Sequence, residues 1–387
     1  MNNFTYHAPT AIYSGNHCIY THRSLIRSFG TKAYIITSRF TGNCRNLALE
    51  DIIAVFNETQ ISYELCEDVE ENPTVESVKR IAKKTRRYAP DFILSIGGGS
   101  ALDTAKAVNV LLKYPTSADP YDVFYHGEPC ANKRSCGVLP LLGIPTTAGS
   151  GSEVMGFAVL TRTDTHTKLR MNQLSYFDAA FLDAKYIARS PQWLLDSGAM
   201  DALAHGIEGY INTFSQKSGR IWHDYGFELF AAYKDALLDC RLEQSDFEQM
   251  LLAASVQGIA VMQSGTTIPH GMGYPLTHFK GIPHGIASCM TIPAYLNTFQ
   301  NRNDITHILK TCGFASLTDL DHYIRAIVDR NVSFSVTPQE IEAWTDTCFH
   351  LDIRIARHPE PISRNAIRDI YYDTLSRFIT PANCLCG

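Results

Sequence analysis

Strand and helix patterns alternate through the first third of the chain and end in a glycine triplet, an order that leaves few folds open. Lys32-Ala-Tyr-Ile-Ile-Thr-Ser38 reads as a buried strand that stops at a polar turn. Leu47, Leu49, Ile52, Ile53 and Phe56 fall at helical spacing within 46–60. Ser62 to Val69 alternates as a strand. Asn72-Pro73-Thr74 then opens a helix whose apolar positions are Val75, Val78, Ile81 and Ala82. Asp91-Phe-Ile-Leu-Ser-Ile96 is a further strand, and it runs straight into Gly97-Gly98-Gly99-Ser100 and a helix from Ala101 to about Tyr114. That grammar predicts a parallel α/β sheet. Ala11–Gly15, Gly137–Ile144, Phe157–Leu160 and Ala180–Asp183 add strand candidates.

Past Ser190-Pro191 the pattern changes. Segments 193–212, 219–239 and 247–263, and later ones near 285–299, 318–330, 338–350 and 363–378, show helical spacing with few β-branched runs. At 387 residues the chain is long for one core. We expect two domains, residues 1–187 as an α/β sheet and 188–387 as all-α.

A net charge of −5, with no basic stripe interleaved with aromatics, argues against nucleic acid as a partner. Lys79 to Arg87 carries apolar residues at helical spacing and reads as a solvated helix face. The 11 cysteines are scattered with no CxxC pair, the closest being Cys384 and Cys386. The first residues are polar, and no run is long and apolar enough to span a bilayer. The expectation is a cytoplasmic protein with free thiols and no membrane partner.

Three places could hold a dinucleotide. The glycine loop at 97–100 follows a strand and opens a helix, where amides and the helix dipole favour phosphate; it is neither GxGxxG nor a P-loop. Thr146-Thr147-Ala-Gly-Ser150-Gly-Ser152 also follows a strand and offers hydroxyls and unhindered amides. Ser38 and Arg39 end the second strand, where dinucleotide folds often place an acidic residue on the ribose. A hydroxyl and a cation there suit a 2′-phosphate, which favours NADP over NAD.

A metal shell is the fourth candidate. Asp201 and His205 are four residues apart, so a helix puts both on one face. His270 and His284 share the context Pro-His-Gly, which we read as backbone bends at element ends, with the glycine loosening the chain. His278 lies between them. One carboxylate and three imidazoles make a plausible divalent-metal shell of Fe, Zn or Ni type.

Taken together, Gly97-Gly-Gly-Ser-Ala-Leu-Asp103-Thr-Ala-Lys106, Pro145-Thr-Thr-Ala-Gly-Ser-Gly-Ser-Glu153, Met200-Asp-Ala-Leu-Ala-His-Gly-Ile-Glu-Gly-Tyr210 and the Pro-His-Gly segments resemble the iron-containing (group III) alcohol dehydrogenase family from about Phe4 to Phe378. The resemblance implies a Rossmann-like N-terminal domain, a helical C-terminal domain and a metal in the cleft between them. It also implies a homodimer or higher homo-oligomer, and NAD(P)-linked interconversion of small alcohols with aldehydes or ketones. By motif match it puts Asp201, His205, His270 and His284 on the metal. Gly97, Gly98, Gly99, Ser100, Asp103, Thr146, Thr147, Ser150 and Lys168 fall on the cofactor side.

Three positions depart from the family pattern. Ser38 stands where many members carry aspartate, which again points to NADP. Tyr274, in Gly273-Tyr274-Pro275, stands where many carry an active-site histidine. Met155 replaces a small polar residue. Tyr274, a metal-bound water or the cofactor ribose is therefore expected to relay the proton, with His278 able to compensate if that segment is helical. Two rival readings stay open: a dehydroquinate-synthase-type lyase, for which 264–290 offers only Lys280 as a cation besides histidines, and a nucleotide-binding structural subunit.

Overall fold

Residues 33–37 are buried without a break, the mark of a strand covered on both faces. In the computed structural model they form the middle of β2, Lys32–Ser38. The structure describes residues 7–39, 46–127, 137–163, 167–217 and 219–380; Phe4, Cys384 and Cys386 lie outside them. The other strands of the sheet are β1 (Ala11–Ser14), β3 (Ser62–Val69), β4 (Phe92–Gly97), β5 (Leu141–Pro145) and β8 (Ala179–Leu182). Their order is β1-β8-β5-β4-β2-β3, and every pairing is parallel.

Successive residues of the central strands feed two different layers, as a pleat requires. Tyr34, Ile36 and Ile93 pack with the helices Val75–Tyr88 and Gly99–Leu111. Ala33, Ile35, Phe92 and Leu94 pack with the helix Leu47–Thr59. The Asn46 side chain caps that last helix through Leu49 N, and Thr74 and Ser77 cap each other reciprocally at the start of 75–88. The chain runs outward from β2 to β3 and returns on the other side of β2 as β4. Open α/β sheets bind ligands where the strand order reverses in this way, beyond the carboxyl ends. Ser38 and the glycine loop both lie there.

One strand departs from expectation. Val159–Arg162 (β6) does not join the sheet; it forms an antiparallel hairpin with Thr167–Arg170 (β7). Its first residue is committed elsewhere, since Val159 N donates to Asp103 Oδ2 at 2.9 Å.

Compact units divide the chain at Ser190/Pro191. The second unit is helical among the described residues, apart from one isolated bridge between Val336 and Ile379. Its central helix, Gln192–Tyr210, is buried at every position from Leu195 to Tyr210. That stretch nevertheless contains Asp196, Asp201, His205 and Glu208. Charges buried this deeply need partners. Asp196 has them: Arg330 Nε donates to Oδ2 at 2.7 Å and Asn331 Nδ2 at 2.6 Å, while Gln192 Nε2 donates to Oδ1 at 2.8 Å. The other three belong to the candidate site. No described helix is long and apolar enough to cross a membrane.

Candidate functional site

In the α/β unit the two small-residue loops pack together. A side chain at Gly98 would meet Thr147 Oγ1 at 2.9 Å, and one at Gly99 would meet Ser150 Oγ at 3.1 Å. Thr146 N donates to Gly97 O at 3.0 Å and ties the ends of β4 and β5. The helix Gly99–Leu111 has no side-chain cap; the Ala101 and Leu102 amides bond Gly98 O, which leaves those of Gly99 and Ser100 for a ligand. Thr146, Thr147, Ser150 and Ser100 are half-buried at this edge.

Asp103 turns inward instead. Its Oδ1 accepts from Ser152 Oγ at 2.5 Å and lies 2.9 Å from Lys106 Nζ, while Oδ2 takes the Val159 amide. Lys106 is fully buried, with Ser152 Oγ at 2.7 Å and the carbonyls of Ser152, Met155 and Phe157 at 3.0, 3.2 and 2.6 Å. This pair is a scaffold that fixes the second loop on the first. A Lys106→Met variant strands those acceptors in the core, so it should lose about 3 kcal/mol of stability in urea unfolding. An unchanged midpoint would contradict that role.

Asn72, which the sequence patterns did not single out, connects the loop to the hairpin. Its backbone takes the left-handed conformation at φ 56°. Its amide donates to Ser100 Oγ at 3.2 Å, its carbonyl accepts from Thr161 Oγ1 at 3.0 Å, and its Oδ1 accepts from Lys168 Nζ at 2.7 Å. Lys168 thereby reaches the glycine-loop side. Ser38 is half-buried, and Arg39 is exposed beyond it. Ser38 pairs in register with Asp68, whose carboxylate is bonded by Lys84 and held below its usual range by it.

In the helical unit the structure gathers the predicted ligands. Donor atoms of Asp201, His270 and His284 lie within 4.8 Å of one another. Asp201 Oδ1 is 3.5 Å from His270 Nε2 and 3.9 Å from both His205 Nε2 and His284 Nε2. Donors on one tetrahedral ion at 2.1 Å would be about 3.4 Å apart. His205 stacks on His270 with centroids 4.6 Å apart. Asp201 Oδ1 and His270 Nε2 are buried with no hydrogen-bond partner. Polar atoms left so in a core need a reason, and a cation between them supplies one. The donors present fit the metal.

Pro-His-Gly lies at an element end, as expected, and in both cases that end is a helix start. His270 lies in the first turn of Ile268–Lys280 behind Pro269, and His284 opens His284–Cys289 behind Pro283. Proline is tolerated at a first turn because its missing N–H would have had no partner. Gly285 serves close approach: a β-carbon there would sit 1.8 Å from Ser197 O. Without it the His284 helix could not press against the helix of Asp201.

Burial alone would raise the Asp201 carboxyl. His205, His284 and His270 outweigh it and hold the group below the usual carboxylate range. Burial would likewise lower His270, but Glu208 and Asp201 push it up to about 10. Two buried carboxylates thus demand positive charge here, from a proton or a metal ion.

Glu208 is the functional residue that sequence patterns missed. It is fully buried; Oε1 lies 2.5 Å from His270 Nδ1, and Oε2 accepts from Thr267 N at 2.7 Å. The Nδ1 proton goes to Glu208, so Nε2 keeps its lone pair for a metal. A ligand histidine with a carboxylate behind it is a recurrent device of metal sites.

Tyr274 belongs to the same neighbourhood. It is half-buried, its ring lies 13° from parallel to His284 with centroids 6.0 Å apart, and its hydroxyl accepts from Arg354 Nη2 at 2.6 Å. His278 is exposed, and its ring meets Phe279 edge to face at 4.7 Å; the structure does not bring it to the ligand set. Lys280 is spent on Glu340 at 2.7 Å. Met155 is buried against Lys106 through its carbonyl.

Comparison with known proteins settles the family. Models described as iron-containing alcohol dehydrogenase and as the C-terminal part of the Fe-containing family match residues 9–184 and 196–375. The chain belongs to the iron-containing alcohol dehydrogenase family. Members of this family are oxidoreductases acting on alcohols and aldehydes. A lactaldehyde reductase of Escherichia coli is 30% identical over 264 residues, covering 68% of this chain and 66% of the reductase, just under two thirds of its length. An NADPH-dependent butanol dehydrogenase of Clostridium saccharobutylicum is 28% identical, covering 82% of this chain and 79% of its own. The crystal structure of an iron-containing alcohol dehydrogenase from Thermotoga maritima superposes with a TM-score of 0.84 at 28% identity, over 97% of this chain and all of that one.

Proposed function

We propose that this protein is a metal-dependent, NAD(P)-linked alcohol dehydrogenase or aldehyde reductase that favours NADP(H). The observation that carries it is the buried, partnerless pair Asp201 Oδ1 and His270 Nε2 among three imidazoles. Asp201, His205, His270 and His284 would hold the ion, Fe²⁺ favoured and Zn²⁺ suited by the same donors. When bound, the ion supplies Lewis-acid polarisation of an alcohol or carbonyl oxygen, and the nicotinamide donates or accepts the hydride. Glu208 orients His270. The glycine loop, with Thr146, Thr147 and Ser150, would hold the dinucleotide, and Asp103 and Lys106 would keep those loops in place. Assembly as a homodimer or higher homo-oligomer and a cytoplasmic location belong to the same proposal.

The NADP preference rests on Ser38 and Arg39. The neighbouring Asp68 is neutralised by Lys84, so the strand edge keeps a cation for a 2′-phosphate. We expect kcat/KM to be higher with NADPH than with NADH, and Ser38→Asp to cut that ratio roughly tenfold, the worth of about 1.4 kcal/mol. A wild-type enzyme that prefers NADH would refute the cofactor assignment. No turnover across a panel of small alcohols, aldehydes and ketones, with dinucleotide still bound, would refute the oxidoreductase and favour the structural reading.

A further inference from the structure

Arginine carries donors only, so the 2.6 Å bond between Arg354 Nη2 and Tyr274 Oη has one possible direction. The phenol oxygen accepts. Its own O–H is therefore unspent, and the structure gives it no acceptor among the described residues. Arg354 is itself fixed. Its Nη1 donates to Thr266 Oγ1 at 2.7 Å and Thr267 O at 3.0 Å, and its guanidinium lies 5.0 Å from the Tyr274 ring centre. A side chain at position 271 would meet Arg354 Cδ at 2.9 Å, so Gly271 makes the room. The result is a half-buried phenol, its ring parallel to His284, whose oxygen accepts from a cation and keeps its own O–H to donate.

We propose that Tyr274 donates its hydroxyl hydrogen to the substrate oxygen at the metal site, and that Arg354 is the residue that positions it. This rests on the oxidoreductase reading above. In the reducing direction, NAD(P)H is the reductant, and hydride addition to the carbonyl carbon leaves the π electron pair on oxygen. Tyr274 Oη supplies the proton that pair binds. The O–H bond breaks, the phenolate is held by Arg354, and water returns the proton to Oη. Oxidation runs the same bonds in reverse. Histidine is not needed at position 274 if the phenol is held this way.

The test compares wild type, Tyr274→Phe, Arg354→Met, Arg354→Lys and the Tyr274→Phe/Arg354→Met double variant, each with metal content measured. Tyr274→Phe should lower kcat for aldehyde reduction about 100-fold, the lower end of general acid–base contributions, with KM for the dinucleotide and metal content unchanged. It should also weaken calorimetric binding of a small unreactive alcohol to the NADP⁺ complex roughly fivefold, the loss of one hydrogen bond. Arg354→Met should lower kcat, Arg354→Lys should restore part of it, and the double variant should be no slower than Tyr274→Phe, because Arg354 acts through Tyr274. Near wild-type kcat in Tyr274→Phe overturns the proposal, as do multiplicative losses in the double variant. Should Arg354→Met fail to fold, Tyr274→Phe decides alone. An inactive wild type would instead sink the oxidoreductase reading.

Discussion

Asp201→Ala and His270→Ala are each expected to lose bound metal and at least 1,000-fold in kcat together. Several kcal/mol of charge stabilisation leave with a Lewis-acidic ion, and each 1.36 kcal/mol is a factor of ten. Asp201 is the anion of the set, and its Oδ1 lies within 3.9 Å of all three imidazole donors. Truncating it leaves neutral ligands around a divalent ion in a buried site. His270 is the proposed ligand with a carboxylate behind it, so truncating it also leaves Glu208 facing a void. Elemental analysis and turnover numbers measured on the same preparation check both. Loss of metal with activity retained would separate the ion from the chemistry.

Glu208→Gln is expected to weaken metal binding about 10–100-fold, although Glu208 is not itself one of the four residues proposed to hold the ion. The glutamate accepts through both oxygens, from His270 Nδ1 at Oε1 and from Thr267 N, Thr267 Oγ1 and His270 N at Oε2. A glutamine has one acceptor oxygen, so at least one of those donors would meet an NH₂ group. The pH dependence should change as well. Burial opposes protonation of His270, and Glu208 and Asp201 overcome it, so without metal the ring keeps its proton up to about 10. Metal must displace that proton, and wild-type affinity should still climb between about pH 7 and 9. Removing the Glu208 charge lowers the proton affinity of His270, so the climb should level off nearer the ordinary histidine value of about 6.5. Calorimetric titration of metal into apo protein across this range distinguishes the two profiles. A Glu208→Gln profile that overlays wild type would show that the carboxylate has no such influence.

Much of this was legible in the sequence, for reasons that can be named. The alternating pattern gave the parallel sheet because β2 and β4 are buried on both faces and show as mostly apolar runs. Asp201 and His205 were legible because four-residue spacing has one meaning on a helix. The repeated Pro-His-Gly pointed to His270 and His284 at element ends, which the two helix starts bear out, though it did not say that the ends would be helical. Both prolines open helices, and Gly285 is there for close packing on Ser197. Glu208 was hidden because an acidic residue on a helix ordinarily marks a solvated face. Only the burial of every neighbour from Leu195 onward shows that it must have a partner inside. Arg354 was out of reach for another reason. It lies 80 residues from Tyr274, and a search for cations near the histidines along the chain could not find a residue brought there by folding. The strand candidate Phe157–Leu160 was taken for a member of the sheet because a short apolar run does not say which strand it pairs with.

The most direct test of the account is chelation and reconstitution of the wild-type protein. Purified without added metal, it should carry about one divalent ion per chain. Stripping that ion should abolish NADPH-dependent aldehyde reduction while leaving the fold intact by circular dichroism, and Fe²⁺ or Zn²⁺ added back should restore turnover in proportion to the ion bound. Metal-free protein that turns over at the wild-type rate would contradict the central claim that Asp201, His205, His270 and His284 work by holding a metal.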